Sequence, residues 1–378
     1  MVSCWELQRI SLRLAKVFQT PDFPFGGVNM ILAGDFAQLP PPYLGGALYN
    51  KDIGVKATTA NGQKGASGKA LWHQFTTVVI LRKNMRQVDN SPINVKFRTA
   101  LANLRYKACT QQDIDILSTR CHDNSKKGPN VTDAMFRNVS IITSLNICKD
   151  LINTLGTARF ASETNQRLHT FYSNDTINLG KKPTKNKMYN GCLTDEIQDM
   201  LWNMEPSFND GKLPGKLDLC VGLPVMIRYN FATELCITKG QEAEVYSWTY
   251  KLGNKGQKVL DTLFVTLVNP PQNVQFASLP LNVVPVPSRC STIDCTLKND
   301  AHISISRTQV DVMPNFAMTD YASQGKTRDY NVVHLKNCRN HQAVYTALSR
   351  GTCIERTLIV DKLYAHKITG GCTGELRQ

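Results

Sequence analysis

The sequence has no apolar run near the ~18 to 20 residues that a membrane-spanning helix requires, which excludes an integral helical membrane protein. It has no Cys-x-x-Cys pair: among twelve cysteines the nearest two are Cys290 and Cys295, with only His302 close by, so no zinc site is expected. The cysteines are dispersed through a long chain with no signal peptide at its start, which fits reduced intracellular thiols better than a disulfide scaffold. No internal repeat is found. A complete phosphate-binding loop is also missing. Gly325-Lys326-Thr327 ends like one, but Asp320 stands where its first glycine should be. Between Gly62 and Ala70, the Gly68-Lys69 pair follows a glycine one residue too far away, and Ala70 lacks the hydroxyl that would hold magnesium. No Asp-Glu pair ends an apolar strand either; Asp195-Glu196 follows a polar loop and reads as helix-start charge.

What is present is ample for folding. The chain has 378 residues, 42% of them hydrophobic, enough for two or three domains with ordinary cores. Lys and Arg outnumber Asp and Glu by 44 to 30, a formal charge of +14. That balance favours a polyanionic partner, with nucleic acid the obvious one. The charge is scattered rather than gathered in a tail, so a generally basic soluble protein is the alternative on this evidence alone.

Hydrophobic spacing predicts alternating elements. Leu7, Ile10, Leu14 and Val17 fall at helical intervals from Trp5 to Phe18, and this helix is expected to pack on a buried strand over Val28 to Ala33. Lys51 to Lys69, rich in Gly, Ala, Lys and Thr, reads as a mobile surface loop. A second strand is expected over Val78 to Leu81. Ile93, Phe97, Leu101 and Leu104 predict a helix after Pro92, with a shorter one around Ile114 to Leu117. A strand at Val139 to Thr143 and a helix over Asn146 to Phe160 follow, the alternation of an α/β unit. From about Gly240 the runs Glu244 to Tyr250, Thr262 to Leu267 and Leu281 to Val286 suggest a small antiparallel barrel inserted into the second α/β domain. The α/β pattern resumes at Val332 to Leu335 and Leu358 to Val360.

Four short stretches carry chemistry. Gly34 and the Pro40-Pro41-Pro42 run force the chain out of the first expected strand, presenting Asp35 and Gln38 at a carboxyl edge, where open α/β sheets bind ligands. A glutamine there can orient a water or contact a terminal phosphate; alternatively both residues merely close a turn. Arg86 directly follows the second expected strand, and Arg350 ends the apolar helical stretch Tyr345-Thr346-Ala347-Leu348-Ser349. Guanidinium groups so placed can neutralise charge developing on a transferred phosphoryl group, although a lone arginine is more often a solvated or salt-bridged surface residue. Ser323-Gln324-Gly325-Lys326-Thr327 offers hydroxyls, an amide and backbone N–H groups at a tight glycine turn, a loop able to grip a phosphodiester backbone without reading bases.

Together these residues resemble the Pif-type (petite integration frequency) DNA helicases of superfamily 1B, relatives of RecD. Pro24-Phe25-Gly26-Gly27-Val28 with Gly34-Asp35-Phe36-Ala37-Gln38-Leu39-Pro40-Pro41 is similar to the family's third motif. Asn84-Met85-Arg86-Gln87 is similar to the fourth, Thr319 with Ser323 to Thr327 to the fifth, and Tyr345 to Arg350 to the sixth. In the fifth, Tyr321 and Ala322 stand where the family usually has His and Lys. Leu213 to Leu217, Gly222 to Met226 and Thr238 to Gln241 look most like helicases of fungal Helitron-type mobile elements.

The resemblance implies an α/β fold with tandem RecA-like domains, the first incomplete, and a small β-barrel inserted in the second. The implied division is 1–85 for the rest of the first domain, 86–239 and 313–365 for the second, 240–312 for the barrel and 366–378 for a tail. It further implies an ATP-dependent 5′ to 3′ DNA helicase serving DNA repair, recombination or genome maintenance, with ATP and Mg2+ bound between the domains and single-stranded or forked DNA as partner. Gln38, Arg86 and Arg350 would be catalytic. Asp35 would join them around the nucleotide, while Thr319, Ser323, Gln324, Lys326 and Thr327 would hold DNA. A monomer is the default, in an intracellular place that would be the nucleus in a eukaryote.

The family's phosphate loop and Asp-Glu pair should precede Met1, and the end at Leu376-Arg377-Gln378 looks internal. The chain is therefore expected to be a fragment, a truncated gene model or a decayed copy, that by itself binds ATP poorly and does not hydrolyse it. Its first domain is expected to be unstable alone, with apolar residues such as Met30 to Ala33 uncovered. A non-catalytic nucleic-acid-binding remnant is the alternative, and an in-frame phosphate loop encoded upstream of Met1 would decide against it.

Overall fold

The computed structural model describes residues 1–42, 46–51, 58–122, 128–178, 193–297 and 301–377. They form two units, Met1–Ser144 with Ser323–Gln378, and Leu145–Ala322.

In the first unit, the helix Cys4–Val17 starts at a capping box: the Ser3 hydroxyl accepts from the Glu6 N–H and the Glu6 carboxylate accepts from the Ser3 N–H, which satisfies two of the helix's orphan donors. Its Leu7, Ile10 and Leu14 face joins Phe25, Met30, Leu32, Leu48, Leu71, Trp72 and Phe75 in one cluster. The stretch expected to be a surface loop is different. From Ala60 to Trp72 it is a helix packed against Cys4–Val17, while 52–57 lie outside the described residues. The glycines that mimicked a phosphate loop serve this packing: a Cβ on Gly68 would sit 1.7 Å from the Cys4 carbonyl oxygen. Only glycine permits that approach.

Contrary to expectation, neither Val28–Ala33 nor Val78–Leu81 is a strand, and neither is buried on both faces. Met30 and Leu32 turn toward the cluster just described, whereas Ile31 is 94% exposed, the two-residue alternation of an extended chain with one covered face. Val78 to Leu81 are all exposed, Leu81 at 90%. Among the described residues no strand pairs with either segment, so their backbones stay extended without a ladder.

The sheet of this unit is short and parallel. Asn331–His334 pairs with Ile141–Thr143 on one side and Thr357–Ile359 on the other. Ile142, Val332, Val333, Leu358 and Ile359 are buried, the continuous apolar signature of strands covered on both faces. The helix Pro92–Arg105 opens with proline at its first turn and buries Phe97, Leu101 and Leu104. It packs on Gln111–Ser118 and on His341–Leu348.

The second unit is dominated by antiparallel pairing. The strands run in the order Val312–Pro314, Pro224–Ile227, Glu242–Leu252, Lys258–Leu267, Val283–Thr296, His302–Val310 and Asn174–Ile177. The long strand Val283–Thr296 changes partner midway: residues 283–287 pair with Lys258–Leu267, and 288–296 with His302–Val310. Pro285 and Pro287 lie in the half that is paired on one edge only, where a missing N–H is tolerated. The β-rich texture expected from Gly240 onward is present, and its pairing extends beyond 240–312 to Pro224–Ile227 and Asn174–Ile177. A fully buried pair, Arg307 with Asp175, ties this sheet to the helix Asp195–Asn203, its remaining donors reaching the Leu201 and Leu213 carbonyls. Such a pair is tolerable only because it is fully hydrogen-bonded.

Candidate functional site

Four separated segments of the first unit meet around a group of arginines. The Asp35–Gln38 turn is an Asx turn: Asp35 Oδ1 accepts from the Ala37 N–H at 2.9 Å, the Asp35 carbonyl accepts from the Gln38 N–H at 3.1 Å, and Gln38 Nε2 donates to Asp35 Oδ2 at 3.4 Å. Both readings of these residues are therefore compatible, since the residues that close the turn also aim the glutamine. Gln342 Nε2 donates to the Phe36 carbonyl at 2.7 Å, fastening the turn to the helix His341–Leu348.

Arg86 and Arg350 lie on either side of Ser349. Arg86 donates from Nη1 to the Ser349 carbonyl at 2.8 Å and from Nε to the Thr327 hydroxyl at 3.0 Å. Gln87 Nε2 donates to the Gly351 carbonyl beside it. Arg350, only 1% exposed, donates from Nε to the Thr346 carbonyl and from Nη2 to the Ser349 hydroxyl, each at 2.8 Å. These acceptors are neutral, so they orient the guanidinium without cancelling its charge. Burial, and then the nearby Arg86, hold the Arg350 pKa down at about 10. It is still protonated at neutral pH. Burial lowers the Arg86 pKa as well. Paired, half-desolvated cations of this kind mark a place where an anion would be stabilised.

The glycine-turn loop stands next to this group. Gly325 has φ +86, a conformation that L side chains rarely adopt, and the Lys326 N–H donates to the Ser323 carbonyl across the turn. Ser323 is fully buried, Gln324 and Lys326 are half-buried and Thr327 is exposed, its hydroxyl accepting from Arg86. Thr319 belongs to the other unit, where its hydroxyl accepts from the Ala322 N–H at 3.2 Å. The structure thus brings Asp35, Gln38, Arg86, Arg350, Lys326 and Thr327 into one neighbourhood. Sequence reasoning assigned no role to Arg105, which grips Asp35, or to Tyr345, Gln87 and Gln342. Gln87 and Tyr345 lie inside the fourth and sixth motif stretches, whereas Arg105 and Gln342 stand only at helix ends.

Among the described residues no group of three or more His, Cys, Asp and Glu is placed to hold a metal. The eleven described cysteines are free thiols, and no described helix is long and apolar enough to cross a membrane.

In fold, this mixed α/β chain with its parallel sheet is similar to solved Pif1 helicases. The Pif1 helicase of Candida albicans superposes with a TM-score of 0.65 at 18% identity, covering all of this chain and 72% of that one. Bacteroides Pif1 in complex with ADP-AlF3 and single-stranded DNA gives 0.60 at 20% identity, covering 98% of this chain and 70% of its own. Uncharacterized protein 030L of Invertebrate iridescent virus 6 is 21% identical over 391 residues, covering 94% of this chain and 69% of its own length. No family model matches the chain.

Proposed function

We propose that this chain is the nucleotide-responding and DNA-holding portion of an ATP-dependent DNA helicase of Pif type, moving 5′ to 3′ on single-stranded or forked DNA through two RecA-like domains. The observation that carries the reading is that Arg86 and Arg350 flank Ser349, while the turn holding Gln38 is fastened through the Phe36 carbonyl to the helix that leads into Arg350. Gln38 aims its amide at an attacking water or terminal phosphate. Arg86 and Arg350 supply charge as it develops on the transferred phosphoryl group, a role worth on the order of 10³-fold in rate. Gln324, Lys326 and Thr327 hold the phosphodiester backbone, the fully buried Ser323 shaping their turn by accepting from the Lys326 N–H, and Thr319 is a further DNA contact from its own unit. The Arg86 contact to Thr327 links nucleotide state to DNA grip, since an arginine drawn toward phosphate releases that hydroxyl. The division into 1–85, 86–239, 240–312 and 313–365, with a role in repair or recombination and an origin near Helitron-type helicases, belongs to the same proposal.

The phosphate loop is not among the chain's motifs, and this favours a second reading for the polypeptide by itself: a nucleic-acid-binding remnant that does not turn over ATP. Both readings predict DNA binding. A labelled single-stranded oligonucleotide should bind 1–378 with affinity that falls as salt rises, and Lys326→Ala should weaken it severalfold regardless of sequence. Binding that ignores salt and Lys326 would contradict both.

A further inference from the structure

The turn that carries Gln38 is gripped by a residue outside every motif. Arg105, the last residue of the helix Pro92–Arg105, lays its fork on Asp35: Nη1 donates to Oδ2 at 2.9 Å, and Nη2 lies 2.9 Å from Oδ1. Those same oxygens accept from the Ala37 N–H and from Gln38 Nε2. Asp35 is therefore a shared acceptor with Arg105 on one side and Gln38 on the other. The helix Pro92–Arg105 also packs on the helix His341–Leu348, which leads into Arg350.

Partial exposure limits what this pair adds to stability: the two side chains are 40% and 17% exposed, and ion pairs near water contribute little. Its planar, two-bonded geometry is specific, however.

We propose that Arg105 is a positioning residue: by occupying both oxygens of Asp35 it fixes the direction of the Gln38 amide. The role given to Gln38 rests on the motor reading above; the positioning itself does not.

The test uses the full chain labelled with ¹⁵N at glutamine side chains, and compares Arg105→Lys and Arg105→Gln with the parent. Lysine keeps the charge but cannot reproduce the fork. The Gln38 side-chain amide, identified by its loss in Gln38→Asn, should be shifted and slow to exchange in the parent and should collapse to a solvent-averaged position in both variants. The Gln198 amide, bonded to Asp175 in the other unit, should not move and reports that the chain is folded. In an Asp35→Asn background, Arg105→Lys should have no further effect. In a form that turns over ATP, Arg105→Lys should lower kcat at least tenfold, toward the roughly 10²-fold that an ångström of misplacement costs, with KM unchanged. A Gln38 amide that is the same in parent and both folded variants overturns the proposal. Collapse of that amide, with no ATP turnover even in a form carrying a phosphate loop, sustains the positioning role and removes the motor reading instead.

Discussion

Arg350 shows how a side chain can be costly to folding and still be held in place. It is almost wholly buried, donates to the Thr346 carbonyl and the Ser349 hydroxyl, and has Arg86 as a neighbour that lowers its pKa further. Anions that bind there relieve the repulsion, and ligands that bind only the folded state stabilise it. Tripolyphosphate should therefore raise the thermal midpoint of 1–378. At ten times its dissociation constant the gain is about 1.4 kcal/mol, a rise of a few degrees. The shift should disappear in Arg350→Ala and shrink in Arg86→Ala; an equal shift in Arg350→Ala would place the anion elsewhere. Asp35, Gln38, Arg86 and Arg350 could be proposed as site residues from the sequence because each lies close in the chain to an apolar run. Arg105 could not, because its partner Asp35 is 70 residues away and nothing near Arg105 in the chain separates a clamp from an ordinary helix-end cation.

The helix His341–Leu348 brings Arg350, Tyr345 and Gln342 to the site, and its first residue makes its stability depend on pH. His341 is buried, and its Nε2 has no hydrogen-bond partner. Burial first, then Lys107, pushes its pKa below the ordinary histidine value of 6.5. Between that value and the lower folded one the unfolded chain binds more protons, so stability rises with pH in this window and is lost as pH falls through 6.5. Each unit of depression is worth about 1.4 kcal/mol. Denaturation midpoints between pH 5 and 8 should fall on the acid side, and His341→Gln should flatten that slope; an unchanged slope would assign it to other groups. The helices were readable wherever one face was apolar, as at Leu7, Ile10 and Leu14. The helix Ala60–Trp72 was hidden because its contact face is built from Gly65 and Gly68, which signal a loop in sequence and a close approach in space. The expected strands at Val28–Ala33 and Val78–Leu81 failed for the opposite reason: apolar content states that a segment seeks cover, while a strand also needs a neighbour to pair with.

At the scale of the whole molecule the two units differ in self-sufficiency. Leu145–Ala322 is continuous in sequence and has its own core, from Phe171 and Leu217 through Val245, Leu263 and Val284 to Phe316. Expressed alone, 145–322 should unfold in a single cooperative transition; a fragment without a transition would mean that its core depends on the rest. The other unit exposes Ile31 and the run Val78 to Leu81, apolar surface of the kind that drives association. The most direct test of the account is DNA-stimulated ATP hydrolysis by 1–378 beside a form extended upstream of Met1 through a phosphate loop, each with and without Arg350→Ala. The account predicts turnover only in the extended form, abolished by Arg350→Ala. Robust turnover by 1–378 itself, or an Arg350→Ala variant as active as its parent, would contradict it.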